Sequence, residues 1–302
     1  MKKMLIISKI IQIFLIVFSF IFLSAGILYS AEPVCSRGDI LFCQDWETKS
    51  IGCPDGMGGG VSQSDCGMGG GIVSSPVHSG TRALNIHVNA GFPDTIYPEY
   101  SLNSTTQHIF VRWYAMWSSG FVFNSNITKH MNIQNLNGPN NWIARFHFER
   151  KPGETTIATP VVQIYCSGTD YTVQECLNIQ GWDEIRLGQN VGNPVDIVPG
   201  NWYCFEWEII PDTQGNKASG IVRGWINGVL KMEHIGYSIR KNATANANPI
   251  DHIWLTSYYG GGGENPPQAQ DVYYDDIAAS TNYIGPSNAA ALLPPKNLRI
   301  VP

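Results

Sequence analysis

The chain has 302 residues, with 19 lysines and arginines against 24 aspartates and glutamates, and a formal net charge of −5. This length allows one large domain or two small ones. Without the three lysines of the first nine residues, the basic count falls from 19 to 16 against 24 acidic residues, a net charge near −8. That acidic balance argues against nucleic acid as a partner, because phosphate binding relies on clustered lysine and arginine.

The N-terminus begins with Lys2 and Lys3, continues with a nearly uncharged apolar run at 10–23, and then has small residues at 24–26. A charged start, an apolar stretch and small residues are typical of a secretory signal peptide. A retained anchor is the alternative, because residues 10–29 are about long enough to span a bilayer. We expect residues 1–31 to direct export, so that the mature protein is secreted, periplasmic or at the cell surface.

All seven cysteines follow this leader, in a compartment where disulfides form by default. Their spacing suggests three pairs, although the sequence alone does not fix the connectivity. The pairs are Cys53–Cys66, Cys166–Cys176 and Cys35–Cys43. The odd count leaves one cysteine unpaired, for which we predict Cys204. No C-x-x-C pair or histidine cluster supports a zinc site.

Beyond the leader, short alternating or aromatic-rich runs recur between Gly, Pro, Asn and Asp residues, and helical periodicity is almost absent. This pattern is typical of an all-β sandwich or barrel. Asn227-Gly228 between two apolar runs predicts a type I′ hairpin. The clearest predicted strands are 108–117, 141–150, 159–168, 201–210, 219–228, 251–259 and 271–280.

Glycine-rich segments punctuate the chain without the features of a phosphate-binding loop. GMGGG occurs at 56–60 and 67–71, and GGGG at 260–263, but none is followed by a helix and a Lys-Ser/Thr pair. We therefore interpret 56–71 as a loop and 256–263 as a strand end followed by a turn. No domain-splitting linker interrupts residues 36–286, and the Pro-rich residues 287–302 form a predicted tail.

Several segments resemble one fold family. GNWYCFEWEIIPD followed by GIVRGWINGVL resembles the strand pair of concanavalin A-like (jelly-roll) lectin and glucanase domains. HIFVRWYAMWSSGFVF and SYYGGGG…VYYDDIAAS resemble strands of related polysaccharide lyases. The resemblance implies a single antiparallel jelly-roll β-sandwich at 32–286, whose first strand, DILFCQDWE, pairs with the last. Because this architecture hosts lectins, hydrolases, lyases and inert modules, activity must be argued from the site.

Strand alternation predicts a polar patch. Arg145 and His147 share one face of the strand at 141–150, and Gln163 and Tyr165 share one face of the strand at 159–168. If these two strands form a hairpin, the four side chains lie together. The resemblance implies that this face is the concave groove that binds carbohydrate.

These residue types suit β-elimination of a uronic acid polysaccharide. The substrate carboxylate must be neutralised, a base must remove the neighbouring proton, and an acid must protonate the leaving oxygen. We predict Arg145 and Gln163 for neutralisation, His147 as base and Tyr165 as acid. The QIY at 163–165 is similar to the Gln-Ile-His motif of one alginate lyase family, with Tyr165 where that family has histidine.

Further residues are candidates for substrate binding. The TKH at 128–130 resembles a lysine-bearing segment of other jelly-roll lyases, which brings in Lys129 and His130. Alternation sends Tyr258 and Tyr259 to opposite faces, and we favour Tyr258 for the groove. The remaining candidate, carried by the resemblance of its strand, is Arg112.

Four carboxylates would come close if the first and last strands pair. They are Asp45, Glu47, Asp275 and Asp276. Carboxylates gathered in this way can bind a structural calcium ion, whereas the alternative is that they protect an edge strand. The predicted reaction requires no cofactor.

We therefore expect an exported, monomeric, carbohydrate-active protein with a polysaccharide as partner, and a polysaccharide lyase is the leading hypothesis. A non-catalytic lectin-like or adhesion module is the first alternative. A jelly-roll glycoside hydrolase is the second, with Glu206 and Glu208 as paired carboxylates. The Glu-x-Asp-x-x-Glu motif of jelly-roll glucanases is missing from the chain.

Overall fold

The computed structural model describes residues 33–52, 70–92, 98–125, 127–135, 142–165, 183–186, 195–212, 219–237, 239, 249–260 and 265–287. The chain divides into two compact units, Met1–Ala31 and Glu32–Pro302. The expected signal peptide lies outside the described residues, as do Cys53, Cys66, Cys166, Cys176 and the tail beyond 287. Within the described ranges, no helix has the length and apolar character needed to cross a membrane.

The described part of the chain is built from strands. A short 3-10 turn, Pro33–Ser36, precedes them, and each of the seven predicted strands overlaps an observed one. The strands are β1 (Ile40–Gln44), β2 (Gly70–Val73), β3 (Ala83–Val88), β4 (Glu99–Thr106), β5 (Ile109–Trp117), β6 (Ile127–Asn135), β7 (Trp142–Arg150), β8 (Ala158–Tyr165), β9 (Asp183–Arg186), β10 (Tyr203–Ile210), β11 (Gly220–Ile226), β12 (Val229–Tyr237), β13 (Ile250–Gly260) and β14 (Gln270–Ser280).

The strands form two antiparallel sheets. The eight-stranded sheet has the order β12-β11-β10-β5-β14-β3-β2, with β1 also paired to β14, and the six-stranded sheet has the order β4-β13-β6-β7-β8-β9. The first strand pairs with the last, with Ile40 opposite Ser280, as the resemblance implies. The predicted all-β jelly-roll sandwich is confirmed.

Alternating apolar residues of both sheets fill the space between them. Trp113 on β5 and Trp207 on β10 meet Phe146 on β7, with ring centroids 5.3 and 4.8 Å apart. All three side chains are fully buried. Each such side chain contributes roughly 1.5–3 kcal/mol of apolar burial, so this aromatic layer is a major source of stability.

Two local predictions are confirmed. Cys35 and Cys43 form a disulfide with Cα atoms 5.5 Å apart, and Cys204 is buried and takes part in no disulfide. Asn227 and Gly228 have φ angles of 50° and 77°, the positive values that a type I′ turn requires at both central positions.

A bulge at His130 interrupts the alternation of β6. Lys129 lies opposite His147 and Met131 opposite Phe146, so His130 is the extra residue between these two pairs. His130 and Met131 are consequently both buried in the core, whereas Lys129 and Asn132 lie on the other face. The bulge therefore allows two polar residues three positions apart to share a face, which regular alternation would forbid.

Candidate functional site

The face of the six-stranded sheet that points away from the core carries a cluster of polar side chains. We call it the polar face and define it by its members on four adjacent strands. They are Trp254 on β13, Lys129 and Asn132 on β6, Arg145 and His147 on β7, and Gln163 on β8. Their neighbours along each strand, such as Ile133, Ala144, Phe146, Val162 and Ile253, are buried in the core.

Arg145 lies at the centre of this face. The predicted β7–β8 hairpin is confirmed, and Arg145 lies directly opposite Gln163. On the other side Arg145 faces Asn132, and its Nε donates a 3.0 Å hydrogen bond to Asn132 Oδ1. This bond fixes the direction of the guanidinium, and the whole Arg145 residue is 8% exposed.

Lys129 and His147 form the next cross-strand pair. The His147 ring is completely buried, and its Nε2 lies 3.7 Å from Glu149 Oε1. Lys129 is half-buried. Partial burial, reinforced by the positive charge of Arg145, lowers the pKa of Lys129 to about 8. At mildly alkaline pH this lysine therefore holds a substantial neutral fraction, which a general base needs.

The register separates the two predicted tyrosines of the groove. Tyr165 pairs with Ile143, four residues along β8 from Val161, the partner of His147. At about 3.3 Å per residue, Tyr165 lies roughly 13 Å along the sheet from that pair. Tyr258, in contrast, lies directly opposite Lys129. The backbone thus places Tyr258, and not Tyr165, in the row of Lys129 and His147.

His130, predicted to bind substrate, lies instead in the core. The Trp113 indole N–H donates to His130 Nε2 at 2.9 Å, and Tyr274 Oη lies 2.6 Å from His130 Nδ1. Because an indole can only donate, Nε2 accepts and the neutral ring carries its proton on Nδ1. Complete burial lowers the pKa of His130 well below its usual value, which keeps the ring neutral.

Tyr259 also lies in the core, because alternation turns it away from the face of Tyr258. Its side chain is 3% exposed, and its hydroxyl accepts a 2.8 Å hydrogen bond from Gln270 Nε2. Tyr259 is therefore a core residue, in correction of its predicted role in substrate binding.

Arg112 lies on the opposite sheet, which corrects its predicted role in the groove. It is 1% exposed and donates to the carbonyl oxygens of Asp276 and Gly285 at 3.1 and 3.3 Å. The paired glutamates of the hydrolase alternative also lie on that sheet. Glu206 accepts from two backbone N–H groups and Glu208 from Arg223. These carboxylates stabilise the fold and are remote in topology from the polar face.

Three of the four carboxylates predicted to bind calcium are hydrogen-bonded to the loop at 78–82. Glu47 accepts from the N–H groups of Thr81 and Arg82, and Asp275 accepts from the N–H groups of His78 and Ser79. Asp276 bonds to His78 Nδ1 at 3.0 Å, and Asp45 accepts from the N–H of Glu47. The described residues contain no group of three or more His, Cys, Asp and Glu side chains that could hold a metal ion.

Two members of the polar face received no role from the sequence. Asn132 was hidden by the bulge at His130, because alternation from Lys129 assigns Asn132 to the core. Trp254 lies on β13 directly opposite Asn132. Alternation does place Trp254 on the face of Tyr258. In the structure Trp254 is half-buried, which distinguishes it from its buried neighbours along β13.

No protein-family model matches the chain, and no curated protein matches it. Among solved structures, it is similar to the alginate lyase Aly36B, with a TM-score of 0.56, 16% identity, and coverage of 79% of this chain and 96% of that one. A form of that lyase in complex with alginate tetrasaccharide, with a lysine and a tyrosine replaced by alanine, has a TM-score of 0.56, 15% identity, and coverage of 81% and 98%. The alginate lyase vAL-1 from Chlorella virus has a TM-score of 0.51, 13% identity, and coverage of 69% and 88%.

These likenesses, together with the sheet topology, define the class of the domain. It is a concanavalin A-like jelly-roll sandwich with the fold of alginate lyases.

Proposed function

We propose that this protein is an exported polysaccharide lyase that cleaves a uronic acid polysaccharide such as alginate by β-elimination. The observation that carries the proposal is the position of Lys129, half-buried and with a lowered pKa, beside the Arg145–Gln163 pair on the polar face. The fold shared with two alginate lyases supports it.

The reaction needs a cationic site and a base next to each other. A base removes the proton from the carbon beside the uronate carboxylate, and that electron pair forms a new carbon–carbon double bond. The bond to the glycosidic oxygen breaks, and this oxygen takes up a proton, so no water is consumed. The carboxylate must be neutralised because negative charge develops beside it. Arg145, held by Asn132 Oδ1, supplies the neutralising charge, and Gln163 lies next to it.

Lys129 replaces His147 as the proposed base. The His147 ring is completely buried, whereas Lys129 is the member of this cross-strand pair that is partly exposed. In its neutral form Lys129 can accept the proton, and burial together with Arg145 favours that form. His147 then acts as a positioning residue beneath Lys129.

Tyr258 is the proposed acid, because its backbone lies opposite Lys129. Tyr165 is the alternative that the Gln-Ile-Tyr segment suggests. Phenylalanine variants of the two residues distinguish these assignments. Loss of kcat in Tyr258→Phe with retention in Tyr165→Phe supports the first, and the reverse result supports the second.

Export rests on the N-terminal pattern and on the disulfide. The Cys35–Cys43 bond is typical of proteins that fold in an oxidising compartment. We expect a monomer with a polysaccharide as its partner.

The test is an assay for unsaturated product. Purified protein is incubated with alginate, a glucuronan and a neutral glucan, and the ultraviolet absorbance of the new double bond is followed. We expect absorbance with an acidic polysaccharide. In Lys129→Ala the rate of product formation should fall by at least about 100-fold, which is the lower end of the usual contribution of a general base. The matched control is Lys151→Ala, because Lys151 is exposed and paired with Asp196 at 2.6 Å. Absence of absorbance on every acidic polysaccharide, with binding retained on an affinity gel, would contradict the lyase and favour the lectin-like alternative.

A further inference from the structure

Trp254 stands out among the tryptophans of the described residues. Six of these tryptophans are buried, and Trp202 and Trp254 remain half-buried. Trp202 lies just before β10 in the eight-stranded sheet, with its ring centroid 5.8 Å from that of His78. Trp254 lies on the six-stranded sheet, between the buried residues Ile253 and Leu255. A large apolar ring is therefore kept partly open beside the polar side chains of this face.

The cross-strand register surrounds Trp254 with charges of opposite sign. On one side Trp254 faces Asn132, which in turn faces Arg145. On the other side it faces Glu99 on β4. At about 4.8 Å between neighbouring strands, the Cα atoms of Trp254 and Arg145 are roughly 10 Å apart. A single sugar ring spans this distance when it lies over Trp254 with its carboxylate directed at Arg145.

Glu99 is held at the outer end of this row. Gln134 Nε2 donates a 2.9 Å hydrogen bond to Glu99 Oε1, and Gln134 is 2% exposed. A carboxylate fixed in this way repels a second carboxylate that would lie beyond Trp254. The row is therefore cationic at one end, aromatic in the middle and anionic at the other end.

We propose that Trp254 is the stacking platform of a subsite for one uronic acid residue of the polysaccharide, with the sugar carboxylate turned toward Arg145. This inference rests on the proposed function. Glu99 limits this subsite on the β4 side and sets the orientation of the sugar. Aromatic platforms with a few placed polar groups are the usual design of such sites. The subsite selects acidic over neutral sugars because Arg145 attracts a carboxylate. Since Arg145 lies on one side of the ring only, it also favours one orientation of the sugar.

The test measures binding separately from cleavage. Affinity for an alginate tetrasaccharide is measured by titration calorimetry in the Lys129→Ala background, where we expect no turnover. Trp254→Ala should weaken binding by about tenfold, the size expected for loss of one stacked aromatic contact. Trp254→Phe should retain most of the affinity, and Trp202→Ala should leave it unchanged. Glu99→Gln should strengthen binding of the acidic tetrasaccharide and leave a neutral one unaffected.

The outcomes distinguish the subsite from the lyase proposal. Binding within twofold of the parent in a folded Trp254→Ala protein overturns the subsite, whatever the activity of the wild type. Loss of binding in Trp254→Ala, in a protein whose wild type produces no unsaturated product, supports the subsite and overturns the lyase. If Trp254→Ala does not fold, equal binding by Trp254→Phe and Trp254→Leu overturns the stacking role, because leucine offers no ring face.

Discussion

At the scale of single residues, the surroundings of Lys129 control its charge, and Arg145 is part of those surroundings. An ordinary lysine is charged at neutral pH and removes no proton. Desolvation makes the charged form of Lys129 costly, and the nearby guanidinium adds repulsion. In the proposed lyase reaction, the same arginine attracts the substrate carboxylate, so one positive charge serves both binding and activation of the base.

These surroundings of Lys129 predict the pH dependence of activity. Because the base must be neutral, kcat/KM should rise with pH through a midpoint of about 8, the pKa of Lys129. Arg145→Gln should lower kcat/KM and also move the midpoint to higher pH, since a charge that disfavours protonation is gone. The measurement is a pH–rate profile on alginate.

The control is Arg150→Gln at the end of β7, which should leave the midpoint in place. An unchanged midpoint in Arg145→Gln, or a rate that falls with rising pH, would contradict the assignment of Lys129 as base.

Residue-level prediction from the sequence succeeded where alternation was regular. Arg145 and Gln163 lie on β7 and β8 without interruption, so a period of two placed them side by side. Asn132 was missed because the bulge shifts the phase within β6. Arg112 was assigned to the groove from the resemblance of its strand to a lyase strand, and that resemblance does not say which of the two sheets the strand joins.

At the scale of elements, the bulge of β6 is secured by a buried hydrogen-bond chain. His130 accepts from the Trp113 indole and lies against Tyr274 Oη, which is 2.5 Å from Ser257 Oγ. Ser257 belongs to the segment of β13 where the register with β6 shifts, between Leu255 and Tyr258. This chain of hydrogen bonds therefore joins the irregular parts of β6 and β13 to β14 in the other sheet.

Removal of the Tyr274 hydroxyl tests whether this chain of hydrogen bonds stabilises the fold. Tyr274→Phe should lower the free energy of unfolding by about 1–3 kcal/mol, because it leaves the buried Nδ1–H of His130 and the Ser257 hydroxyl without their partner. Urea denaturation measures the loss. Tyr203→Phe is the matched control, because its hydroxyl bonds to the exposed residue Val198 and should matter little. Equal stability of Tyr274→Phe and wild type would contradict the structural role.

The strands themselves were predictable, because Gly, Pro, Asn and Asp residues separate alternating runs throughout the chain. The hairpin at Asn227-Gly228 was predictable for the same local reason. The bulge in β6 was not predictable, since one extra residue in a strand does not change the amino-acid pattern in a recognisable way. His130 was assigned to substrate binding with Lys129 for a different reason, the resemblance of the TKH segment to a lysine-bearing segment of other lyases, although its hydrogen-bond partners lie in the core.

At the scale of the whole molecule, the outer face of the eight-stranded sheet is covered by the segment after β14. Tyr283 packs on Trp225, with ring centroids 5.2 Å apart. The N–H groups of Ile284 and Gly285 donate to Glu206 at 2.7 and 2.8 Å. Burial raises the pKa of Glu206 to about 7, partly offset by these two bonds. This cover could not be predicted from local sequence patterns, because it depends on a contact between residues almost eighty positions apart.

The raised pKa predicts how stability varies with pH. The folded state holds a proton on Glu206 up to about pH 7, whereas the unfolded chain loses it near the ordinary value of 4.5. The contribution of Glu206 to stability is therefore fully present below pH 4.5 and is lost as the pH rises to 7, by up to about 3 kcal/mol. Glu206→Gln should remove this slope.

Urea denaturation of wild type and Glu206→Gln at pH 5 and pH 7.5 provides the measurement. Glu154→Gln, a change at an exposed side chain, should leave the slope as in wild type. If wild type and Glu206→Gln respond equally to pH, the titration of this buried carboxyl does not contribute to the stability of the fold.

The pairing of β1 with β14 has a consequence for rebuilding the protein. Ile40 lies beside Ser280, and Thr281 N donates to Asp39 O at 3.3 Å, so the two ends of the sandwich are neighbours in space. A short linker between them, with new termini opened at the exposed Asn227 turn, should give a circular permutant with the same sheets. In such a permutant the polar face, which belongs to the other sheet, keeps its cross-strand order.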